Sequence, residues 1–356
     1  MKYNFLNNRN NQIELNENNT KKINYGLSVL KCLLSFAIVV VHCFNRNSTK
    51  NKTILKLTIN RIIYVPSFFI ISFNFMCYNL LSRKGNILLS RIKRLLIPYI
   101  FWPIIIYTIN HLLNIKYKKI VPYDLNALKV QLLWGVGYMP QFWFQWDLII
   151  ITFAFFLIIY IFNKNYLFIL QILLIISYFS QYSGYNYNTF FCKYPECNKY
   201  TIGRICESIP FAVTGFILGY YKILSNLEKY RIKTIFLSIV VYNIITNYNI
   251  FTNSKGFGYN GIALNIRSIC TVFIFYLSSS DKIRNKYLNK VLTKATSHSA
   301  GVYYLHMTIY EYFKNFFQHI KKGTFIGIII NYFICNMICF LGIIIFGNTT
   351  LKYLFI

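Results

Sequence analysis

Carboxylates are scarce in this chain: nine Asp and Glu stand against 38 Lys and Arg in 356 residues. The formal charge of +29 raises the question of a nucleic-acid partner. No zinc or helix-turn-helix motif accompanies it, and the basic residues sit in short blocks between apolar runs rather than on one amphipathic face. No nucleic acid is therefore expected, and the blocks suit anionic lipid headgroups instead. Histidine is scarce too. None lies near the loop cysteines Cys192, Cys197 and Cys206, so no metal site is expected there. The chain lacks a Gly-x-Ser-x-Gly elbow and a Ser-x-x-Lys with its supporting motifs. Its one Cys beside a His is the pair His42-Cys43, sequence neighbours that fall on different helix faces. Direct transfer is thus simpler to defend than a covalent enzyme intermediate. No small-residue cleavage site follows the first apolar run, which speaks against a cleavable signal peptide, and residues 1–25, polar and Asn-rich, read as a disordered tail.

What the chain has in abundance is apolar and aromatic: hydrophobic residues make up 56% and aromatics 19%, more apolar surface than one water-soluble core can hide. An all-α integral membrane protein is expected. Runs near the twenty residues a spanning helix needs lie at 27–45, 58–81, 95–113, 142–162, 166–182, 207–223, 234–251, 262–280, 299–318 and 325–347. They predict a bundle of about ten transmembrane helices in one membrane domain, 26–350, because the longest polar connections, 114–140 and 183–206, are too short for a separate soluble domain. The run at 166–182 carries the weakest signal, following Asn163-Lys164-Asn165 after only a tight turn. Lys and Arg divide almost evenly between the two sides, so charge alone leaves orientation open. The densest block, Arg83-Lys84 through Arg91-Ile92-Lys93-Arg94, lies on the N-terminal side and tilts the reading toward cytoplasmic termini in a cell membrane. Cys32, Cys43, Cys77, Cys270, Cys335 and Cys339 sit in or beside apolar helices as small hydrophobes. The other three belong to a loop, where Cys192 and Cys197 either close a small disulfide or stay free.

Chemistry in such a bundle falls to its few buried polar groups. In the first run, Lys31 and His42 lie eleven residues apart, about three helical turns, and project from nearly one face. Lys31 either meets an anion or snorkels to the interface. His42 is either a core histidine bonded to a carbonyl or a base, since a neutral imidazole suits proton abstraction from an alcohol near neutral pH. His306 stands near the start of a late helix, where it could face His42 across the bundle. Asp147 and Glu207 are rare carboxylates in or beside apolar runs and need partners: Arg204 for Glu207, and Lys31, Arg267 or substrate for Asp147.

These residues and five further stretches resemble acyltransferase family 3, a family of multi-pass membrane acyltransferases. Its first helix runs from an acidic residue and an arginine to a histidine, here Ser28, Lys31 and His42. Its Pro-x-Phe-Phe-x-x-Ser-Gly-Phe segment is matched by Pro66-Ser67-Phe68-Phe69-Ile70-Ile71-Ser72-Phe73, with Phe73 where the family usually has glycine. A basic, proline-terminated stretch follows, Arg91-Ile92-Lys93-Arg94 to Pro98, then Phe142-Trp143-Phe144, then Pro210 through Gly215 and Gly219, and finally Gly301-Val302-Tyr303-Tyr304-Leu305-His306.

The resemblance implies an acyl-CoA donor, most often acetyl-CoA, bound from the cytoplasm, with no permanently held cofactor. Arg91, Lys93 and Arg94 are the candidates for its phosphates. His42 becomes the general base, with Lys31 and His306 beside it, and Ser72 or Lys31 as candidate oxyanion donor. Trp143, Tyr303, Asp147 and Glu207 are candidates for the substrate path. The expected reaction is O-acetylation, or transfer of another short acyl group, onto a hydroxyl of a carbohydrate or lipid-linked surface glycan. The competing classes are a proton-coupled transporter or flippase, for which no internal repeat is visible, and a glycan polymerase, for which the outer loops are small.

Overall fold

The computed structural model describes residues 24–43, 64–81, 87–112, 125–135, 142–182, 201–251, 262–278, 294–316 and 325–355. Among them there is no strand. The helices are α1 (Tyr25–Cys43), α2 (Tyr64–Leu81), α3 (Ile87–Leu112), α4 (Leu125–Trp134), α5 (Trp143–Phe162), α6 (Tyr166–Tyr182), α7 (Thr201–Tyr220), the short α8 (Ile223–Leu227), α9 (Arg231–Phe251), α10 (Ile262–Ser278), α11 (Ser299–Phe316) and α12 (Phe325–Phe346), and a 3-10 turn at Thr350–Leu354 ends the described chain. Every one of the ten apolar runs coincides with a helix. Three stretches are long and apolar enough to cross a membrane, Ile87–Leu112, Trp143–Tyr178 and Ile326–Phe346, with shorter apolar helices at Tyr25–Val40, Val65–Leu80, Ile205–Tyr220 and Ile262–Ser278. The outward faces of α6, α9 and α12 carry exposed Ile175, Phe236 and Ile345, the surface that lipid covers and water would not. The tail at 1–25 lies, but for its last two residues, outside the described residues, as do Cys192 and Cys197.

Two glycines seat the tightest helix pair. Gly215 and Gly219 of α7 stand one helical turn apart and face α2: a Cβ at Gly215 would run into the Ile70 carbonyl, and one at Gly219 would lie 2.7 Å from the Asn74 carbonyl. Small residues spaced this way let two backbones approach in hydrocarbon, where dispersion rather than dehydration drives association. Phe73 fills the place beside them; it is fully buried against Phe69 and Phe155.

Contacts at the helix ends fix their directions. Asn24, ahead of α1, donates to the Tyr276 carbonyl at the end of α10, and Arg231, opening α9, donates to the Ser278 carbonyl. Lys31 rests on the Phe75 ring near the end of α2, and Arg91, in the first turns of α3, reaches Ser72. One end of the bundle therefore gathers Lys31, Arg91, Lys93, Arg94, Lys229, Arg231 and Lys233, while His42 lies toward the other end of α1, about 16 Å along the helix from Lys31.

The connection at 114–140, read from sequence as polar and irregular, contains α4. Its last carbonyls, on Gln131 and Leu132, accept from the Tyr99 hydroxyl midway along α3, and Gly135, at φ +71°, turns the chain against Trp146. Phe142 and Trp146 also pack on Tyr99. Helix α4 thus ends, and α5 begins, at one depth beside the middle of α3. Sequence missed α4 because ten residues containing Lys129 and Gln131 carry no spanning signal.

The C-terminal turn closes the opposite face. Trp102 of α3 donates its indole N–H to the Leu354 carbonyl at 2.8 Å. Phe355 packs edge-on to Trp102 and parallel to Phe346, and its backbone and ring occupy the space that side chains at Gly301 and Gly342 would claim.

Candidate active site

Apolar flanks bury the middle of α1 through Leu30, Leu34, Ile38 and Val39, and α1 packs against α2, α10, α11 and α12. That packing carries His42, in the last turn and exposed, to the side of α11, where its ring lies 5.2 Å from that of His306. Their environments differ. His306 is fully buried. Its Nδ1 lies 2.8 Å from the Tyr303 carbonyl and 3.3 Å from that of Val302. A carbonyl only accepts, so Nδ1 carries the proton and Nε2 presents a lone pair. No hydrogen-bond partner meets that Nε2. Asn331 of α12 donates to the His306 carbonyl at 2.9 Å and holds the turn. An Asn inside so apolar a run, one of two in α12 with Asn336, was a readable signal of a buried polar role.

The rings of the α11 turn join the start of α5. Tyr303 lies 6.0 Å from His306 and 5.4 Å from Phe144, and Tyr304 stacks on Phe142 at 5.3 Å. Trp143 is half-buried and packs edge-on to Phe144 at 6.2 Å. The candidates His42, His306 and Tyr303 are thus brought together, with Phe144 added by the fold.

The basic candidates separate. Arg91 is drawn inward: it donates to the Thr152 hydroxyl at 3.0 Å, to the Ser72 carbonyl at 3.2 Å and to the Ser72 hydroxyl at 2.9 Å, and its guanidinium lies 4.9 Å over the Phe73 ring. It therefore clasps α2, α3 and α5 together. Thr152 was not legible as its partner, sixty-one residues away in sequence. Arg94 is exposed and bonds only within its own helix, to the carbonyl and hydroxyl of Ser90, and Lys93 is exposed beside it. These two present charge outward.

The remaining candidates lie apart from the histidines. Lys31 sits 5.0 Å from the Phe75 ring centroid, and Ser28 turns its hydroxyl back to the Asn24 carbonyl. Neither Ser72, under Arg91, nor Lys31, on Phe75, stands beside His42. Asp147 of α5 is fully buried and accepts from Ser208 of α7 at 3.2 Å, a partner not among those expected. Glu207 is exposed, and the Arg204 side chain lies outside the described residues. Cys206 lies inside α7 as a free thiol rather than in a loop. Among the described residues no group of three or more His, Cys, Asp or Glu could hold a metal ion.

Compared with known proteins, the chain matches the family model described as an acyltransferase domain over residues 24–353. No curated protein and no solved structure matches it. The match spans nearly the whole helical bundle, both histidines and the Arg91–Arg94 block, and the chain belongs to acyltransferase family 3.

Proposed function

We propose that this membrane acyltransferase moves an acetyl or other short acyl group from acyl-CoA to a hydroxyl of a carbohydrate or lipid-linked surface glycan, with His42 as general base. The observation that carries the reading is the pairing of exposed His42 with buried His306 at 5.2 Å. The accessible imidazole meets the acceptor, and the buried one, its tautomer set by the Tyr303 carbonyl, packs against it with its Nε2 left a bare acceptor. Held by that packing, the His42 ring presents a nitrogen to the alcohol. Attack forms the ester C–O bond; collapse breaks the C–S bond, and the proton taken by His42 passes to the leaving thiolate. Arg94 and Lys93, exposed at the basic end, meet the phosphates of CoA. In this reading that basic end, which holds the densest block Arg83 to Arg94, and with it the N-terminus, faces the cytoplasm of a multi-pass cell-membrane protein of about ten crossings.

The test is the acetyl content of surface glycans in cells expressing wild type, His42→Ala and Arg94→Ala at matched membrane abundance. Loss in His42→Ala supports the base; acetylation that never depends on the wild type removes the glycan acceptor. The ends of α4 and α5 beside Tyr99 favour one second reading, a transporter, since helix ends inside a bundle line many transport sites. Proton-coupled glycan flux in vesicles with no ester formed would establish that reading instead.

A further inference from the structure

Gln145 stands in the first turn of α5 among Trp143, Phe144 and Trp146, and its side chain is only 2% exposed. An amide buried in such company needs partners, because a bond left unmade there costs the full desolvation of the group. Gln145 finds them on two other helices. Its Nε2 donates to the Leu95 carbonyl of α3, and the same side chain hydrogen-bonds the Tyr304 hydroxyl of α11. One amide therefore ties α3, α5 and α11 together.

What lies at each end gives the tie its meaning. On α3, Leu95 follows Arg94, the exposed cation at the basic end of the bundle. Pro98 brings no N–H to the Arg94 carbonyl, so α3 lacks a rung of its own ladder where Gln145 grips it. On α11, Tyr304 adjoins Tyr303, whose carbonyl takes the His306 Nδ1–H at 2.8 Å, and the His306 ring lies 5.2 Å from that of His42. Ring contacts hold the same turn: Tyr304 stacks on Phe142 at 5.3 Å, and Tyr303 stands edge-on to Phe144 at 5.4 Å. Stacked rings can slide over one another, whereas a hydrogen bond has a direction. The Gln145 amide is what gives the α11 turn a fixed register against α3.

We infer that Gln145 is a positioning residue for the transfer: it fixes the histidine turn of α11 relative to the stretch of α3 that carries Arg94, and so sets where the thioester arrives against His42. The inference rests on the acyltransferase reading above. A donor anchored by its phosphates at Arg94 presents its thioester at a set reach from that anchor. A histidine turn displaced by about 1 Å meets the thioester out of line for attack, and misplacement of that size costs on the order of 10²-fold in rate. Gln145 itself forms no bond to the reacting atoms in this reading, so its loss slows the bound complex and leaves donor binding as it was.

Two size-matched variants test this. Gln145→Met removes both hydrogen bonds and keeps the length of the side chain; Tyr304→Phe removes only the hydroxyl and keeps the stack on Phe142. In membranes of expressing cells, which carry their own acceptor, CoA release is followed against acetyl-CoA concentration, and the unfolding midpoint of each protein is read in detergent. The expected result is kcat per folded protein lower by about 10–10² in each variant, with KM for acetyl-CoA nearly unchanged. The double variant is expected to be no slower than Gln145→Met, because both changes cut one connection; losses that multiply overturn the inference. A brace with no part in the reaction would lower the midpoint and leave kcat at the wild-type value, and that outcome overturns it as well. So does a raised KM at unchanged kcat, which would put Gln145 in donor binding. No CoA release by wild type overturns the acyltransferase reading and the inference with it. Should Gln145→Met fail to accumulate, Tyr304→Phe decides: a lowered kcat supports the inference and an unchanged one overturns it.

Discussion

His42 and His306 sit in the first and penultimate long helices, and the bundle brings their rings to 5.2 Å. Two imidazoles at that separation act as a unit, so their removal is not additive. We predict that His42→Ala lowers acetyl transfer by about 10²–10⁴. His306→Gln lowers it less, and the double variant is no worse than His42→Ala alone. Rates from membranes of equal protein content check this; additive losses would separate the two residues.

Arg91 and Arg94 should fail in different ways. Arg91 joins three helices through Ser72, Thr152 and Phe73. Arg91→Ala is therefore expected to cost about 2–4 kcal/mol, from charge-assisted bonds of about 1.5–3 kcal/mol each, partly recovered as water enters. Arg94→Ala breaks only bonds to its own helix and is expected to leave the unfolding midpoint in detergent unchanged while raising KM for acetyl-CoA. A raised KM with an unchanged midpoint in Arg91→Ala would reverse these assignments.

Gly215→Ala pushes a methyl into the Ile70 carbonyl, and backbone cannot step aside as a side chain can. An overpacking loss of about 1–3 kcal/mol is expected, read as a lower midpoint and lower membrane abundance. An unchanged midpoint in Gly215→Ala would remove the close approach of α7 to α2 as the constraint at this position.

Histidine also sets a pH response away from the site. His298, just ahead of α11, is buried, and that burial together with Lys294 holds its pKa below the usual 6.5. The unfolded chain then binds more protons than the folded one as pH falls through 6.5, so stability drops on acidification and is fully present above that value. His298→Gln is expected to flatten the fall in midpoint between pH 7.5 and pH 5; an unchanged slope would place the response elsewhere.

The sequence made the helices legible because the length of an apolar run is a local property. Each of the ten runs became a helix, down to 166–182, and the order of short motifs named the family. What the chain concealed was pairing and phase. Thr152 carries no mark that it meets Arg91. Glu207, one residue from buried Ser208, faces outward, and a change of one residue in helical phase decides that. Helix α4 was hidden for the same reason: Tyr99 meets the carbonyls of Gln131 and Leu132 from another helix, so nothing within the 114–140 stretch announces where its end is held. Of the site, His42, His306 and Tyr303 were readable as candidates, while the contact of Phe144 with Tyr303 appears only once α5 meets α11.

Lys31 leans on Phe75 and Arg91 on Phe73. A chain with nine acids and 64 Phe and Tyr residues (33 + 31) has handed to ring faces part of the work that carboxylates do elsewhere. A ring face has no proton to gain. Souring of the surroundings, which would discharge an Asp or Glu counterion, leaves these two attachments at full strength, so the cationic end of the bundle keeps its grip in acid.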